Sequence, residues 1–216
     1  MAIMSKIIQM SEYYRRLYTK DDIMCTKLVS DIRKKQNNIE DMPARANDVL
    51  DYFHINDFSN GVPIVEILNK LGIKVYQMKL KPETLSAYIS VNPKYQEVYG
   101  TNKITCVNSE DSIGHKRFAL AHELAHYLFD FNESEDLEYY NTYSTEQVER
   151  NGEEERANAF AANLLMPERP FRKLLAEKLD LQSKADTVTR LAQCFQVSTT
   201  AILLRMQELN IGGYDG

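Results

Sequence analysis

Apolar residues alternate with polar ones only in the middle of this chain, whereas helical spacing governs both ends. The middle stretch begins with "NGVPIVEILNKLGIKVYQMKL", which predicts a turn, a short helix and a strand. Two further strands are predicted in "LSAYISVN" and "KITCVN", where apolar side chains recur at alternate positions. Short strands that are followed only by helices predict an α+β fold with a small antiparallel sheet.

The same pattern divides the chain into three segments. Residues 1–55 are predicted to be a helical N-terminal segment, polar and without glycine, whose basic first part forms either a solvated helical face or an arm that docks on a partner. Residues 56–170 are predicted to form the core. Residues 171–216 are predicted to be helical, because "LAQCFQVSTTAILLRMQELNI" has the cadence of a helix-turn-helix, with its turn at residues 196–198.

One predicted helix of the core is apolar almost all round but carries polar residues, whose presence in a buried helix has to be explained. Residues 118–129 read "FALAHELAHYLF" and are apolar almost all round, which indicates a buried helix. His122 and His126 are one helical turn apart, about 6 Å along the axis, and project from the same face. With Glu123 between them they form the HExxH arrangement, in which two neutral imidazoles bind Zn²⁺ and the glutamate activates a water. The alternative is a pair of hydrogen-bonded core histidines.

A third ligand would decide between these interpretations, because a catalytic zinc takes three protein ligands. Downstream, "NGEEERANAFAANLLMPERP" predicts a second helix on which Glu154 and Asn158 share a face. Glu154 can thus point at the metal, while Asn158 lies where its amide could form a hydrogen bond that orients a histidine ligand. Two of the three consecutive glutamates are explained by the favourable interaction of negative charge with a helix N-terminus.

Together, "RFALAHELAHYLF" and "EERANAFAANLLMP" resemble the ImmA/IrrE family of metallopeptidases, and the likeness extends from about Gly61 to Ile211. The resemblance implies an HExxH zinc endopeptidase that cleaves a partner repressor of helix-turn-helix type and so derepresses genes of a mobile element or a stress response. The pattern Glu-x-x-Ala-Asn-x-Phe-Ala-Ala of the family falls on Glu154 and Asn158, which implies Glu154 as the third ligand. Arg156 departs from the pattern, since many members carry an acidic residue there.

The implied mechanism is hydrolysis of a peptide bond by a water that zinc activates. His122, His126 and Glu154 are the expected ligands, and Glu123 takes a proton from the water and later delivers it to the leaving amine. A further donor should stabilise the oxyanion. The sequence does not rank the candidates for this donor, which are Tyr127, Tyr139, Tyr140, Tyr143 and His115.

The distribution of charged residues bears on whether the partner of this chain is a nucleic acid or a protein. The net charge of −5 disfavours a general nucleic-acid binder. The second helix of the tail carries Arg205 as its only basic residue among apolar ones, so we expect packing rather than DNA binding there. Residues 130–155 are strongly acidic, which is typical of a solvated loop or of a rim that attracts a basic substrate, as a DNA-binding repressor would be.

Cysteine usage and hydropathy predict the compartment. Cys25, Cys106 and Cys194 are widely spaced and odd in number, so we expect reduced thiols in a cytoplasmic protein. No apolar run approaches the roughly 20 residues that span a bilayer, and the N-terminus lacks the pattern of a signal peptide. We therefore expect a protein substrate, no membrane and no direct nucleic-acid binding. Two rivals remain, a non-catalytic zinc-binding regulator that sequesters a repressor and a direct DNA-binding regulator.

Overall fold

A computed structural model describes residues 20–131, 151–178 and 183–212. Within these ranges the chain forms nine α-helices, a 3₁₀ turn at Ile39–Asp41 and three strands, which confirms the predicted α+β class. The elements are α1 (Lys20–Arg33), α2 (Met42–Tyr52), α3 (Ile64–Lys70), β1 (Lys74–Met78), β2 (Ala87–Val91), α4 (Tyr95–Tyr99), β3 (Lys103–Asn108), α5 (Ile113–Phe129), α6 (Asn151–Leu165), α7 (Glu168–Lys178), α8 (Lys184–Phe195) and α9 (Thr199–Glu208). The beginning of the basic N-terminal segment and most of the acidic segment lie outside the described residues.

The sheet has the strand order β1-β3-β2 and is mixed, so the expected antiparallel sheet is wrong for one of its two strand pairs. β3 pairs antiparallel with β2 and parallel with β1. Because β2 and α4 lie between β1 and β3 in the chain, β3 can return along the direction of β1, which a tight hairpin would not allow. Alternation along a strand reports which face is buried and carries no information about strand direction.

The central position of β3 also changes its burial. Ile104, Cys106 and Asn108 are buried, and so are the residues between them. Both faces of β3 are therefore covered, and the alternation that predicted this strand is not reflected in its burial. The helix α5 packs against β2 and β3.

The helix α5 lies between the sheet and α6, which in turn packs against α2. Ser112 precedes the first turn of α5, and its hydroxyl accepts a hydrogen bond from the backbone N–H of His115 at 3.3 Å, as an N-cap residue does. Leu120, Leu124 and Leu128 follow at helical spacing and are buried. The buried helix predicted from residues 118–129 therefore corresponds to all of α5 except its first five residues.

Helices from the N- and C-terminal thirds of the chain share this core. One cluster of buried apolar residues contains Ile32 of α1, Val49 of α2 and Phe195 of α8. Arg205 of α9 is only 4% exposed. Its guanidinium donates to the carbonyl of Met166 at 3.0 Å and to the side-chain oxygen of Asn163 on α6 at 2.7 Å.

No helix in the described ranges is both long and apolar enough to cross a membrane.

Candidate metal centre

Three predicted side chains converge where α5 faces α6. The Nε2 atoms of His122 and His126 are 2.9 Å apart. The carboxylate of Glu154 approaches both rings, with Oε2 3.1 Å from Nε2 of His122 and Oε1 3.5 Å from Nε2 of His126. One ligand atom from each of the three residues lies within 4.8 Å of the others. The structure thus brings together the three residues that the sequence proposed as ligands.

The second nitrogen of each ring has its own acceptor. Nδ1 of His122 lies 2.9 Å from Oδ1 of Asn158, and Nδ1 of His126 lies 2.6 Å from Oδ2 of Asp130. Because amide and carboxylate oxygens only accept, each Nδ1 carries a hydrogen, and in the neutral form of each ring Nε2 presents a lone pair. Two nitrogen lone pairs and a carboxylate therefore point at one another. A cation placed between these three groups would bind all of them and offset their mutual repulsion.

The separations of the three donor atoms fit Zn²⁺. Ligands bound about 2.0–2.1 Å from a tetrahedral ion lie roughly 3.4 Å from one another. The observed separations of 2.9, 3.1 and 3.5 Å are near this value. Two imidazoles and one glutamate are also a donor set of catalytic zinc sites, which keep a fourth position open.

The charges around His126 favour a cation as well. Burial of the ring by itself lowers the pKa of His126. The hydrogen bond to Asp130 and the negative charges of Glu123, Asp130 and Glu154 act in the opposite direction and prevail, so the pKa is raised above its ordinary value. The same negative charges that favour a protonated ring favour a bound metal ion.

Glu123 follows His122 directly and belongs to the buried part of α5, with an exposed fraction of 2%. Its negative charge acts on His126, which lies one turn further along the helix. A carboxylate that is enclosed by protein beside the ring nitrogens of two candidate ligands is suited to accept and return a proton.

Sequence reasoning missed a residue that supports the centre. Asp130 was counted only as the first member of the acidic segment, yet its side chain is 3% exposed and accepts the hydrogen bond from His126. Its other oxygen pairs with Arg156, the residue that departs from the family pattern. Arg156 also lies over the ring of Phe129, 5.8 Å from its centroid. The signal was available, because Asp130 follows His126 by four residues and so shares its face.

Two candidates for the oxyanion donor, Tyr127 and His115, lie within the described residues. The polar groups of both have partners away from the two histidine Nε2 atoms and the Glu154 carboxylate. The hydroxyl of Tyr127 is 2.8 Å from Nζ of Lys103, which also donates to the carbonyl of Leu71 at the end of α3. His115 precedes His122 by seven residues, about 10 Å along the helix axis, and its Nε2 lies 2.8 Å from the hydroxyl of Ser86. The remaining candidates, Tyr139, Tyr140 and Tyr143, lie outside the described residues.

Comparison with known proteins gives a family and a fold. The model of a peptidase family described as the IrrE N-terminal-like domain matches residues 68–207, a range that contains the ligand candidates, Glu123 and Asn158. No protein of curated function matches the chain. A solved structure of a Mycobacterium tuberculosis transcriptional regulator is similar, with a TM-score of 0.52 and 18% identity over 89% of this chain and 54% of the regulator. This chain therefore spans about half the length of that regulator, and at this identity the likeness concerns the fold alone.

Proposed function

This chain belongs to the ImmA/IrrE family, and from that premise we propose that it is a zinc-dependent endopeptidase acting on a specific regulatory protein. One observation supports the proposal most directly. Two imidazole lone pairs and the Glu154 carboxylate converge within 4.8 Å, with the buried Glu123 beside them. A structural pair of histidines would need neither the third acceptor nor the glutamate.

In this proposal His122, His126 and Glu154 hold the metal. When bound, Zn²⁺ supplies a Lewis acid that lowers the pKa of a water molecule and polarises a carbonyl group. Asn158 and Asp130 keep the two rings in the tautomer that presents Nε2 to the ion. Glu123 takes a proton from the attacking water and delivers it to the leaving amine, which is the work of a general base that becomes a general acid.

The proposed substrate is a helix-turn-helix transcriptional repressor whose cleavage derepresses genes of a mobile element or a stress response. Family resemblance and the acidic segment at residues 130–155 support this choice, because a DNA-binding repressor is basic. Direct DNA binding by this chain is disfavoured by Arg205. Its guanidinium is buried and donates to Met166, Asn163 and Glu208, so it is not available to phosphates.

The experiment is co-expression with a helix-turn-helix repressor encoded beside this chain, followed by detection of repressor fragments and measurement of zinc in the purified protein. The wild-type protein should cleave and should lose activity when a chelator removes the metal. Glu123→Gln should keep its zinc and stop cleaving, because Glu123 acts on the water and not on the metal. Full cleavage by Glu123→Gln would contradict the mechanism, and binding of the intact repressor without cleavage by wild type would favour the non-catalytic regulator.

A further inference from the structure

A cleft of about 550 Å³ opens beside the metal centre, between α5, α6 and α9. Its walls include Phe118 of α5, Ala159, Ala162 and Met166 near or on α6, and Leu204 of α9. The volume lies within the range of about 300–1,000 Å³ that is usual for ligand sites. The cleft is therefore a built cavity of binding size whose walls are mainly apolar.

The cleft adjoins the metal centre at Asn158, and none of the three candidate ligands is among its lining residues. Asn158 lines the cleft, and its side-chain oxygen is the partner of the His122 ring. α5 and α6 run in opposite directions there, because His122 faces Asn158 while His126, one turn later, faces Glu154, one turn earlier. Phe118 and Ala162 lie one turn beyond His122 and Asn158, about 6 Å along the helices. A side chain within two residues of a bond held at the metal centre can reach this distance.

The chemistry of the cleft selects its occupant. Ala159 and Ala162 leave the space between α5 and α6 open, since longer side chains at these positions would fill it. At the rim, Ile39 and Leu204 are exposed apolar residues, which need a partner to leave water. The ionisable residues of the rim are Glu155 and Glu208, His115, whose Nε2 lies 3.8 Å from the carboxylate of Asp111, and Arg205, which is buried and paired with Glu208. An uncharged apolar group fits these walls, and an acidic one is repelled.

We propose that this cleft receives an apolar side chain of the substrate polypeptide, next to the bond that is cleaved, and that Ala159 sets the space available to it. The inference rests on the proposed peptidase function. It adds a specificity for neutral apolar residues, of about the size of leucine, and a discrimination against acidic ones.

The test uses zinc-loaded full-length protein and three N-acetyl-dipeptide hydroxamates that differ only in the residue next to the hydroxamate, which is glycine, leucine or glutamate. Hydroxamates bind zinc, so the glycine compound reports the metal centre and the differences among the three report the cleft. We expect the leucine compound to bind roughly 10- to 100-fold more tightly than the glycine compound, because the cleft buries its side chain. The glutamate compound should bind more weakly than the glycine compound.

Variants assign the preference to the cleft. Ala159→Leu should bring the affinity for the leucine compound down to that for the glycine compound, and zinc per chain together with thermal unfolding reports whether the variant is folded. Leu204→Ala, a change at an exposed rim position, should reduce the preference in part. Ala176→Leu makes the same change on the exposed surface of α7 and should keep the full preference. In chelator-treated wild-type protein, the leucine compound alone should shift the methyl resonances of Ala159 and Ala162.

The outcomes separate the two levels of the proposal. Equal affinities for the three compounds in wild-type protein would overturn the cleft inference and leave the proposed peptidase function standing. This result is expected if another segment of this chain covers the cleft. A leucine preference that survives Ala159→Leu would overturn it too. If no hydroxamate binds to protein that has been supplied with zinc, the proposed function fails and the cleft inference fails with it.

Discussion

The two histidines that face Glu154 have very different surroundings. The side chain of His122 is 13% exposed and its partner is the neutral amide of Asn158, on the wall of the cleft. The side chains of His126 and Asp130 are each 3% exposed, and Arg156 pairs with the same carboxylate. Two residues that we propose as equivalent ligands are thus unequal in the fold. His126 lies in the core, whereas His122 lies beside the cleft that Asn158 lines.

This difference predicts which changes affect the metal alone and which also affect stability. A neutral, exposed partner can be lost at the cost of one hydrogen bond. A buried carboxylate that balances both a ring and a guanidinium leaves two groups without their partner when it is removed.

The largest effect is expected where both histidines depend on one group. Glu154→Ala should reduce zinc affinity by more than the roughly 10–100-fold that is typical for residues that only support a ligand, and should eliminate cleavage. Glu153→Ala and Glu155→Ala are the matched controls, because consecutive helical residues diverge by about 100° and these two face elsewhere. They should keep zinc and lose at most about 0.3–1 kcal/mol of helix-dipole stabilisation. Zinc per chain in the three purified proteins decides, and loss of metal on changing Glu153 or Glu155 instead would show that the helix phase is wrong.

The second-largest effect is expected from changing Asp130, the buried partner of His126. Asp130→Ala should weaken zinc binding towards the upper end of the 10–100-fold range, because the His126 ring loses its acceptor. It should also lower the free energy of unfolding of the metal-free protein by about 1–3 kcal/mol, since Arg156 loses its ionic partner. Chelator competition measures the first quantity and chemical denaturation the second. Asp130→Asn keeps an acceptor oxygen and removes the charge, so a full effect of Asp130→Ala with none of Asp130→Asn would assign the role to the hydrogen bond and not to charge.

Changing Asn158, the exposed partner of His122, should affect zinc affinity less than changing Asp130 does, and should affect stability little. Asn158→Ala should weaken zinc binding near the lower end of the range, about 10-fold, and should lower the unfolding free energy of the metal-free protein by no more than about 1 kcal/mol. Asn158→Asp restores an acceptor for Nδ1 of His122 and should recover the zinc affinity. If Asn158→Ala destabilised the metal-free protein as much as Asp130→Ala does, the contrast between the two histidines would not hold.

The smallest effect on the metal is expected from Arg156→Gln. Asp130 can still accept from His126 in this variant, so zinc affinity should change by less than about 10-fold. Stability should fall by about 1 kcal/mol, because the guanidinium is partly exposed and solvent screens its pair. Lys79→Gln, which removes the exposed pair with Glu110, is the matched control and should cost less. A loss of zinc on Arg156→Gln that equals the loss on Asp130→Ala would mean that the guanidinium, rather than the carboxylate, fixes the ring.

Most of what the sequence predicted about the site came from the positions of residues on the faces of two helices. His122, His126, Glu154 and Asn158 lie on the expected faces because a helix fixes the direction of residues four apart, whatever surrounds it. Their roles as ligands and supports stay predictions until the metal is measured. Asp130 escaped notice because it follows the last residue of α5, where an acidic residue is easily taken for the start of a loop.

The features that depend on distant segments could not be predicted from local pattern. The parallel pairing of β1 with β3 is set by the path of the chain between them, and alternation along each strand is the same for both directions. The cleft combines Phe118, Ala162 and Leu204, which are far apart in sequence and on three helices. No periodicity within one helix indicates which faces of three helices will meet.

The contacts of Arg205 have a consequence for biosynthesis. The Met166 carbonyl and the Asn163 side chain, at and just beyond the end of α6, receive hydrogen bonds from a residue that is translated about forty positions later. While a nascent chain has not yet reached Arg205, the helix that carries Glu154 lacks these partners at its C-terminal end. The C-terminal end of this helix can therefore acquire all of these hydrogen bonds only after translation has passed Arg205.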